Sequence, residues 1–205
     1  MKTFGAAKRR NAQCQCCQSL ERHRLLWLYL KNKTDFFETP LKVLHFAPES
    51  CFRERFKNLA NLDYVFADLS QKQAMLKIDI TEIGLSDDTF DVILCSHVLE
   101  HVQDDLEAMK ELFRVLKPGG WAIFMVPVKG EENFEVEYAT TSAERKKLFG
   151  QHDHVRWYGC IGFQQRLASV GFAVTEDDYN QSLGKENIIR MCLLENEKIY
   201  FCEKK

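Results

Sequence analysis

The chain has 205 residues, enough for about one domain with a large core. Hydrophobic residues make up 45% and charged residues 28%, the mix of a globular chain, and a formal net charge of −2 excludes any global pull towards nucleic acid or an anionic membrane surface. LLWLYL is too short for a membrane span and has Arg and Lys flanks. The basic start (Lys2, Lys8, Arg9, Arg10) has no apolar run ending in a small-residue cleavage site. A cytoplasmic protein is expected, with its eight cysteines mostly thiols.

In chain order, residues 1–18 read as a polar, Cys-bearing arm, and 19–205 as one domain. Ser19 is a candidate cap for a helix running to about Asn32, with Leu20, Leu26, Trp27 and Leu30 along one side. Pro40 breaks the chain before a strand, LKVLHFA. A helix follows Pro48, with Phe52, Phe56 and Leu59 in phase. DYVFADL, AMLKIDI and TFDVILCS read as three further strands. Asp104 is the expected N-cap of a helix whose apolar stripe is Leu106, Met109, Leu112, Phe113 and Leu116. A Pro-Gly-Gly turn leads to WAIFMVPV, the fifth strand. The polar stretch 129–156 is expected to hold a short helix near 143–149. CIGFQQRLASV is a helix stopped by Gly171, and FAVTE and KIYFCEK are closing strands, an antiparallel pair at one edge. Strands alternating with helices predict an α/β fold with a doubly wound, mostly parallel sheet.

Open α/β sheets hold their ligands outside the carboxyl ends of parallel strands. Ser96, His97, Glu100 and His101 crowd such an end, after TFDVILCS. Asp68 stands at the end of the second strand, about 20 residues past the first loop, the spacing at which a carboxylate accepts from ribose hydroxyls in a dinucleotide-type fold.

The block FDVILCSHVLEHV…ELFRVLKPGG resembles the fourth strand, helix and fifth strand of class I S-adenosylmethionine-dependent methyltransferases, and the likeness runs from about Leu41 to the C-terminus. ERHRLLWLYL, LHFAPE and FGQHDHVRWYG together are similar to a poorly characterised bacterial group of these enzymes. The resemblance implies a Rossmann-like, seven-stranded sheet with an antiparallel edge strand. It also implies S-adenosylmethionine as cofactor, with Asp68 and Leu69 at the ribose, Asp79 and Ile80 beside the adenine, and Ser96 and His97 along the methionine side. The first loop departs from the class: His45-Phe46-Ala47-Pro48-Glu49-Ser50-Cys51 has no glycine, the residue that normally lets backbone approach the cofactor. Ala47 is still small, and Glu49 is a candidate partner for the cofactor's ammonium or a ribose hydroxyl.

The run Gln151-His152-Asp153-His154-Val155-Arg156-Trp157-Tyr158 is dense in chemistry and follows the fifth strand, where this fold commonly builds its acceptor site. Three roles stay open. His152 or His154 is a candidate general base, since an imidazole pKa of about 6.5 suits neutral pH. Arg156 is a candidate clamp for a carboxylate or phosphate. A divalent metal is the third, held by His152, Asp153 and His154 with His101 or Glu100. Glu100, His101, Asp153, Arg156 and Tyr158 are the expected acceptor contacts, and a solvated capping loop is the plain alternative.

Cys14 and Cys17 form one C-x-x-C pair with His23 downstream. Structural zinc needs four ligands, usually two such pairs. The similar group often has a second pair further upstream, so Cys14 and Cys17 are candidate zinc ligands of a partial zinc ribbon. The expected function is methyl transfer from S-adenosylmethionine to a small polar acceptor, oxygen favoured over nitrogen. Zinc or another divalent metal remains a secondary possibility, and no membrane or nucleic-acid partner is expected. The alternatives are a non-catalytic cofactor-binding module and an NAD(P)-dependent oxidoreductase. Against the latter, the glycine fingerprint is missing and the Tyr-x-x-x-Lys of Tyr29 to Lys33 precedes the sheet.

Overall fold

The computed structural model describes residues 1–5, 8–69, 74–136 and 141–205, so part of the polar stretch 129–156 lies outside the described residues. Where the sequence suggested an arm, the chain forms an antiparallel hairpin, β1 (Lys2–Phe4) with β2 (Arg9–Gln13). Helix α1 (Glu21–Lys33) follows, capped at Leu20 rather than Ser19. Ser19 is used elsewhere. Its carbonyl accepts from the Cys14 N–H at 2.9 Å, and its hydroxyl takes the Cys17 thiol at 3.2 Å. The ring of His23 substitutes for a capping side chain, its Nδ1 accepting from the Leu20 N–H at 3.1 Å. Arg24 then ties hairpin to helix: its guanidinium donates to the carbonyls of Ala12 and Ser19, and to those of Met191 and Cys192 far along the chain.

The central sheet uses β3 (Leu41–Phe46), β4 (Leu62–Ala67), β5 (Phe90–Ser96), β6 (Leu116–Met125), β9 (Ala173–Asp177) and β10 (Ile199–Glu203), in the spatial order β4-β3-β5-β6-β10-β9. β3 pairs parallel with both β4 and β5, and β5 pairs parallel with β6. β10 is antiparallel to both neighbours. Two expectations are corrected here. The described residues give six strands, not seven, and the antiparallel strand lies inside the sheet, leaving β9 at the edge.

The lost strand, AMLKIDI, makes a single parallel bridge between Leu76 and Ala67. Asp79 ends it: its Oδ1 accepts from both the backbone N–H and the hydroxyl of Thr81, at 2.9 and 2.8 Å, and its carbonyl accepts from the Glu82 N–H. That side-chain turn competes with a ladder. Leu76 and Ile78 pack against the core and Ile80 is buried, but Met75 on the other face is 53% exposed, so only one face of the segment is covered.

Period-two alternation splits the strand residues between two cores. Leu44, Phe46, Ile93, Cys95, Ala122 and Phe124 face α3 (Asp105–Val115) and α5 (Cys160–Ser169). Val43, Val92, Leu94, Ile123 and Met125 face α1 and α2 (Ser50–Phe56). Each Val, Leu, Ile, Phe or Met among them, once buried, contributes roughly 1.5–3 kcal/mol. Asp104 caps α3 as expected, its Oδ1 accepting from the Glu107 N–H at 3.0 Å. Leu106 leaves the expected stripe and is 37% exposed, while Ala108 and Val115 take buried positions.

Beyond β6, β7 (Phe134–Glu135) pairs with β8 (Arg156–Trp157), and α4 (Ser142–Phe149) occupies the expected short helix. Two helices missed in the sequence, α6 (Tyr179–Ser182) and α7 (Gly184–Met191), join β9 to β10. Among the described residues no helix is long and apolar enough to cross a membrane.

Candidate functional site

The chain leaves β3 for β4 on one side, then crosses back to β5 on the other, which puts the switch in strand order beside β3. A cavity of about 700 Å³ opens there, walled by Phe46, Ala47, Asp68, Leu69, residues 78–81, His97, Val98, residues 101–104, Arg145 and Asp153. Two backbone positions at its floor are left-handed. Ala47 has φ +45° and His97 has φ +55°. Few side chains other than glycine, Asn and Asp adopt this region. Here hydrogen bonds to the next strand hold both: Ala47 N–H donates to Ala67 O and His97 N–H to Met125 O, each at 2.8 Å. Ala47 thus takes the conformation that a glycine-rich loop would supply.

Asp68, at the tip of β4, is only 8% exposed. Asp79 is exposed, Ile80 is buried, and both line the cavity. Ser96 is buried as the last residue of β5 and is not part of the wall. Glu49 is not part of it either. Its Oε1 lies 2.6 Å from Nε2 of His23 and 3.4 Å from the Arg22 guanidinium. Burial raises the Glu49 pKa, but the His23 hydrogen bond and the charges of His23 and Arg22 outweigh it and bring the carboxyl to about 2.

A second cavity of about 590 Å³ adjoins the first. His97 and His101 belong to both walls. Its other sides come from Phe4, Arg9, Glu21 and Arg22 near the N-terminus, from Glu100 and His154, and from Phe149, Trp157 and Glu197. Nothing in the sequence pointed to the N-terminal residues. They arrive because the hairpin folds back, with Arg9 Nε 2.9 Å from the buried Glu21 carboxylate.

The histidine-rich stretches meet between the cavities. Nδ1 of His97 lies 3.1 Å from Glu100 Oε1, and its Nε2 lies 3.6 Å from Glu197 Oε1. Burial pulls the His97 pKa down, but these two carboxylates bring it up to about 8. Glu100 is 1% exposed, and His97 keeps its pKa low against the cost of burial. Nδ1 of His101 is 3.3 Å from Asp153 Oδ2. The His154 ring stands edge-on to that of His101 with centroids 4.7 Å apart, and burial lowers its pKa. His152 lies outside both walls, its side chain 69% exposed, with Nδ1 3.8 Å from Asp153.

Arg156 and Tyr158 are buried beneath the site. The Arg156 guanidinium donates to Glu135 at 2.9 Å, to the carbonyls of Leu99 and Gln103 at 3.1 and 2.8 Å, and to the Val102 carbonyl. The Tyr158 hydroxyl donates to Asp105 at 2.5 Å. Both residues brace the loop that carries His101, instead of presenting polar groups to a ligand.

Cys14 and Cys17 line a third cavity, of about 400 Å³, with His23 and Cys51. All eight cysteines are free. Both ring nitrogens of His23 are engaged, Nδ1 by the Leu20 N–H and Nε2 by Glu49.

Residues 42–124 match a family model described as a methyltransferase domain. A malonyl-(acyl-carrier protein) O-methyltransferase of Marinomonas sp. is 32% identical over 77 residues, which is 38% of this chain and 24% of that protein. The aligned segments span between 2% and 28% of the lengths of four curated relatives. An S-adenosylmethionine-dependent methyltransferase from Archaeoglobus fulgidus superimposes with a TM-score of 0.60 at 16% identity, covering 89% of this chain and 94% of that one. The cyclase SpnF superimposes equally well, at 0.60 and 15% identity over 88% of this chain and 80% of its own. The fold is therefore the Rossmann-like fold of S-adenosylmethionine-dependent methyltransferases.

Proposed function

We propose that this chain is an S-adenosylmethionine-dependent methyltransferase that methylates a small polar acceptor, with oxygen favoured over nitrogen. The observation that carries this reading is the shared wall of the two cavities: His97 and His101 stand where a cofactor in the first and an acceptor in the second come together. The first cavity suits an adenosyl group in size. It offers the buried Asp68 at a strand tip, Asp79 on the adjoining turn, and at Ala47 a backbone already bent in the manner of a glycine loop.

S-adenosylmethionine, when bound, supplies a methyl group already activated by its sulfonium. The protein's remaining work is positional. Asp68 accepts from ribose hydroxyls, Asp79 and Ile80 hold the base, and His97 and Val98 line the methionine end. An oxygen nucleophile must also lose a proton, and the groups gathered at the shared wall to manage it are Glu100, His101, Asp153 and His154. The buried His154 suits that role better than the exposed His152. The match to a methyltransferase family model favours this reading over a binding-only or redox module.

Calorimetric titration tests the proposal. S-adenosylmethionine should bind the wild-type chain and NADH should not. Asp68→Asn and Asp79→Asn should each weaken binding at least ~10-fold, the loss of one to two charge-assisted hydrogen bonds. Unchanged affinity in both variants, or uptake of NADH instead, overturns the assignment.

A further inference from the structure

We propose that Glu100, His101 and His154 form a binding site for a divalent first-row transition metal ion, placed at the wall shared by the two cavities. One candidate ligand atom from each of these residues lies within 4.8 Å of the other two. This selects one set from the several histidines and acids that the sequence left open, and it leaves out the exposed His152.

Three independent features point to a cation. The Glu100 side chain is 1% exposed; Nδ1 of His97 stands 3.1 Å from Oε1, and Oε2 has no hydrogen-bond partner among the described residues. His97 supplies one positive neighbour for this buried carboxylate, and Oε2 is left for a second cation. His154, 5% exposed, likewise has a buried Nδ1 with no partner among the described residues. His101 is oriented as metal-bound histidines are: Asp153 takes its Nδ1 at 3.3 Å, which leaves Nε2 turned to Glu100 Oε1 at 4.0 Å. Two tetrahedral ligands on one ion stand roughly 3.3 Å apart, so closing the site needs a movement of less than about 1 Å.

Two imidazoles and one carboxylate suit zinc, iron or cobalt better than magnesium or calcium, which prefer all-oxygen sites. Three protein ligands also leave coordination positions open, as in catalytic metal sites. The open side faces the second cavity. The consequence for chemistry rests on the methyltransferase reading above. Holding the ion would be how Glu100, His101 and His154 manage the acceptor's proton: a hydroxyl at the ion would become more acidic and would release its proton to solvent through that cavity. Its oxygen lone pair then forms the bond to the methyl carbon while the methyl–sulfur bond breaks and that electron pair returns to sulfur.

Cobalt(II) titration of the full chain, stripped with a chelator, tests the site. One equivalent should bind and give a visible ligand-field band without the near-ultraviolet thiolate charge-transfer band that a cysteine site would show. The band should survive Cys14→Ser/Cys17→Ser. Glu100→Gln and His154→Ala should each weaken cobalt binding at least ~10-fold, and Asp153→Asn, which only orients His101, about 10- to 100-fold. S-adenosylmethionine affinity, measured in chelator, should be unchanged in His154→Ala, so the metal and cofactor assignments fail separately. No cobalt uptake by the wild-type chain, or a thiolate band lost with the cysteines, overturns the proposal whether or not the other variants fold.

Discussion

Nε2 of His23 lies 2.6 Å from Oε1 of Glu49, so the loop after β3 is tied to the start of α1 by a charged contact. The acidic residue of the glycine-free loop therefore braces the floor of the first cavity from behind. Arg22, at 3.4 Å, shares the same carboxylate oxygen.

Acid unfolding should reveal this brace. The folded Glu49 carboxyl sits near 2, below its ordinary 4.5, so its stabilisation is complete above 4.5 and is lost as pH falls from there through 2. Its side chain is 23% exposed, which tempers the effect to on the order of 2 kcal/mol. Urea denaturation of wild type and Glu49→Gln should differ by that amount near neutrality and converge in strong acid. A gap that stays constant with pH would show that His23 and Glu49 are not coupled.

Arg156 should behave as a structural clamp. Lysine has one ammonium where arginine has a fork, and it cannot reach three carbonyls and Glu135 at once. Arg156→Lys should cost about 3 kcal/mol in unfolding free energy through the buried acceptors it abandons. Because Val102 and Gln103 line the first cavity, cofactor affinity should fall with it. A fully stable variant that has lost only acceptor turnover would instead return Arg156 to the ligand-clamping role.

Ala47→Gly should stabilise the protein. Relief of a left-handed alanine is worth roughly 1–2 kcal/mol, against about 0.5–1 kcal/mol of extra chain entropy for glycine. A thermal midpoint raised by a few degrees, with cofactor binding retained, is the expected result. A lower midpoint would mean that the Ala47 methyl packs in a way that outweighs its backbone strain.

Gly159→Ala should be far more damaging. A Cβ there would stand 2.2 Å from the Glu131 carbonyl carbon and oxygen and 2.3 Å from the Glu132 nitrogen, all backbone atoms. Overpacking against main chain costs ~3 kcal/mol or more. Circular dichroism melts should show a large loss, since α5 starts at the next residue. Near-wild-type stability would mean that the segment around 131 yields easily.

Much of the parallel sheet was legible because its strands are short apolar runs with polar punctuation. LKVLHF, FDVILCS and the cap at Asp104 are local signals, and the structure agrees with them. AMLKIDI was misread because its pattern is local, whereas its failure depends on a turn at Asp79 and on having nothing to cover Met75. α7 was missed for a related reason: its packed side is defined only by the core that the partly buried Ile188 and Met191 meet.

The site divides in the same way. The amino-acid sequence by itself determined which chemistry is available: carboxylates at successive strand ends, a first loop without glycine, and histidines and acids in two stretches more than fifty residues apart, Glu100 and His101 in one and Asp153 and His154 in the other. Tertiary structure alone decided how they are used. It turned Glu49 away to His23, sank Arg156 and Tyr158 below the floor, left His152 in solvent and brought His154 against His101. The physical reason is that spacing along a chain fixes only near neighbours. Desolvation and pairing depend on what folds across from a side chain, and here that is set by the approach of the segment before β8 to the turn after β5, where the Val155 N–H donates to the Glu100 carbonyl, and by the returning N-terminal hairpin.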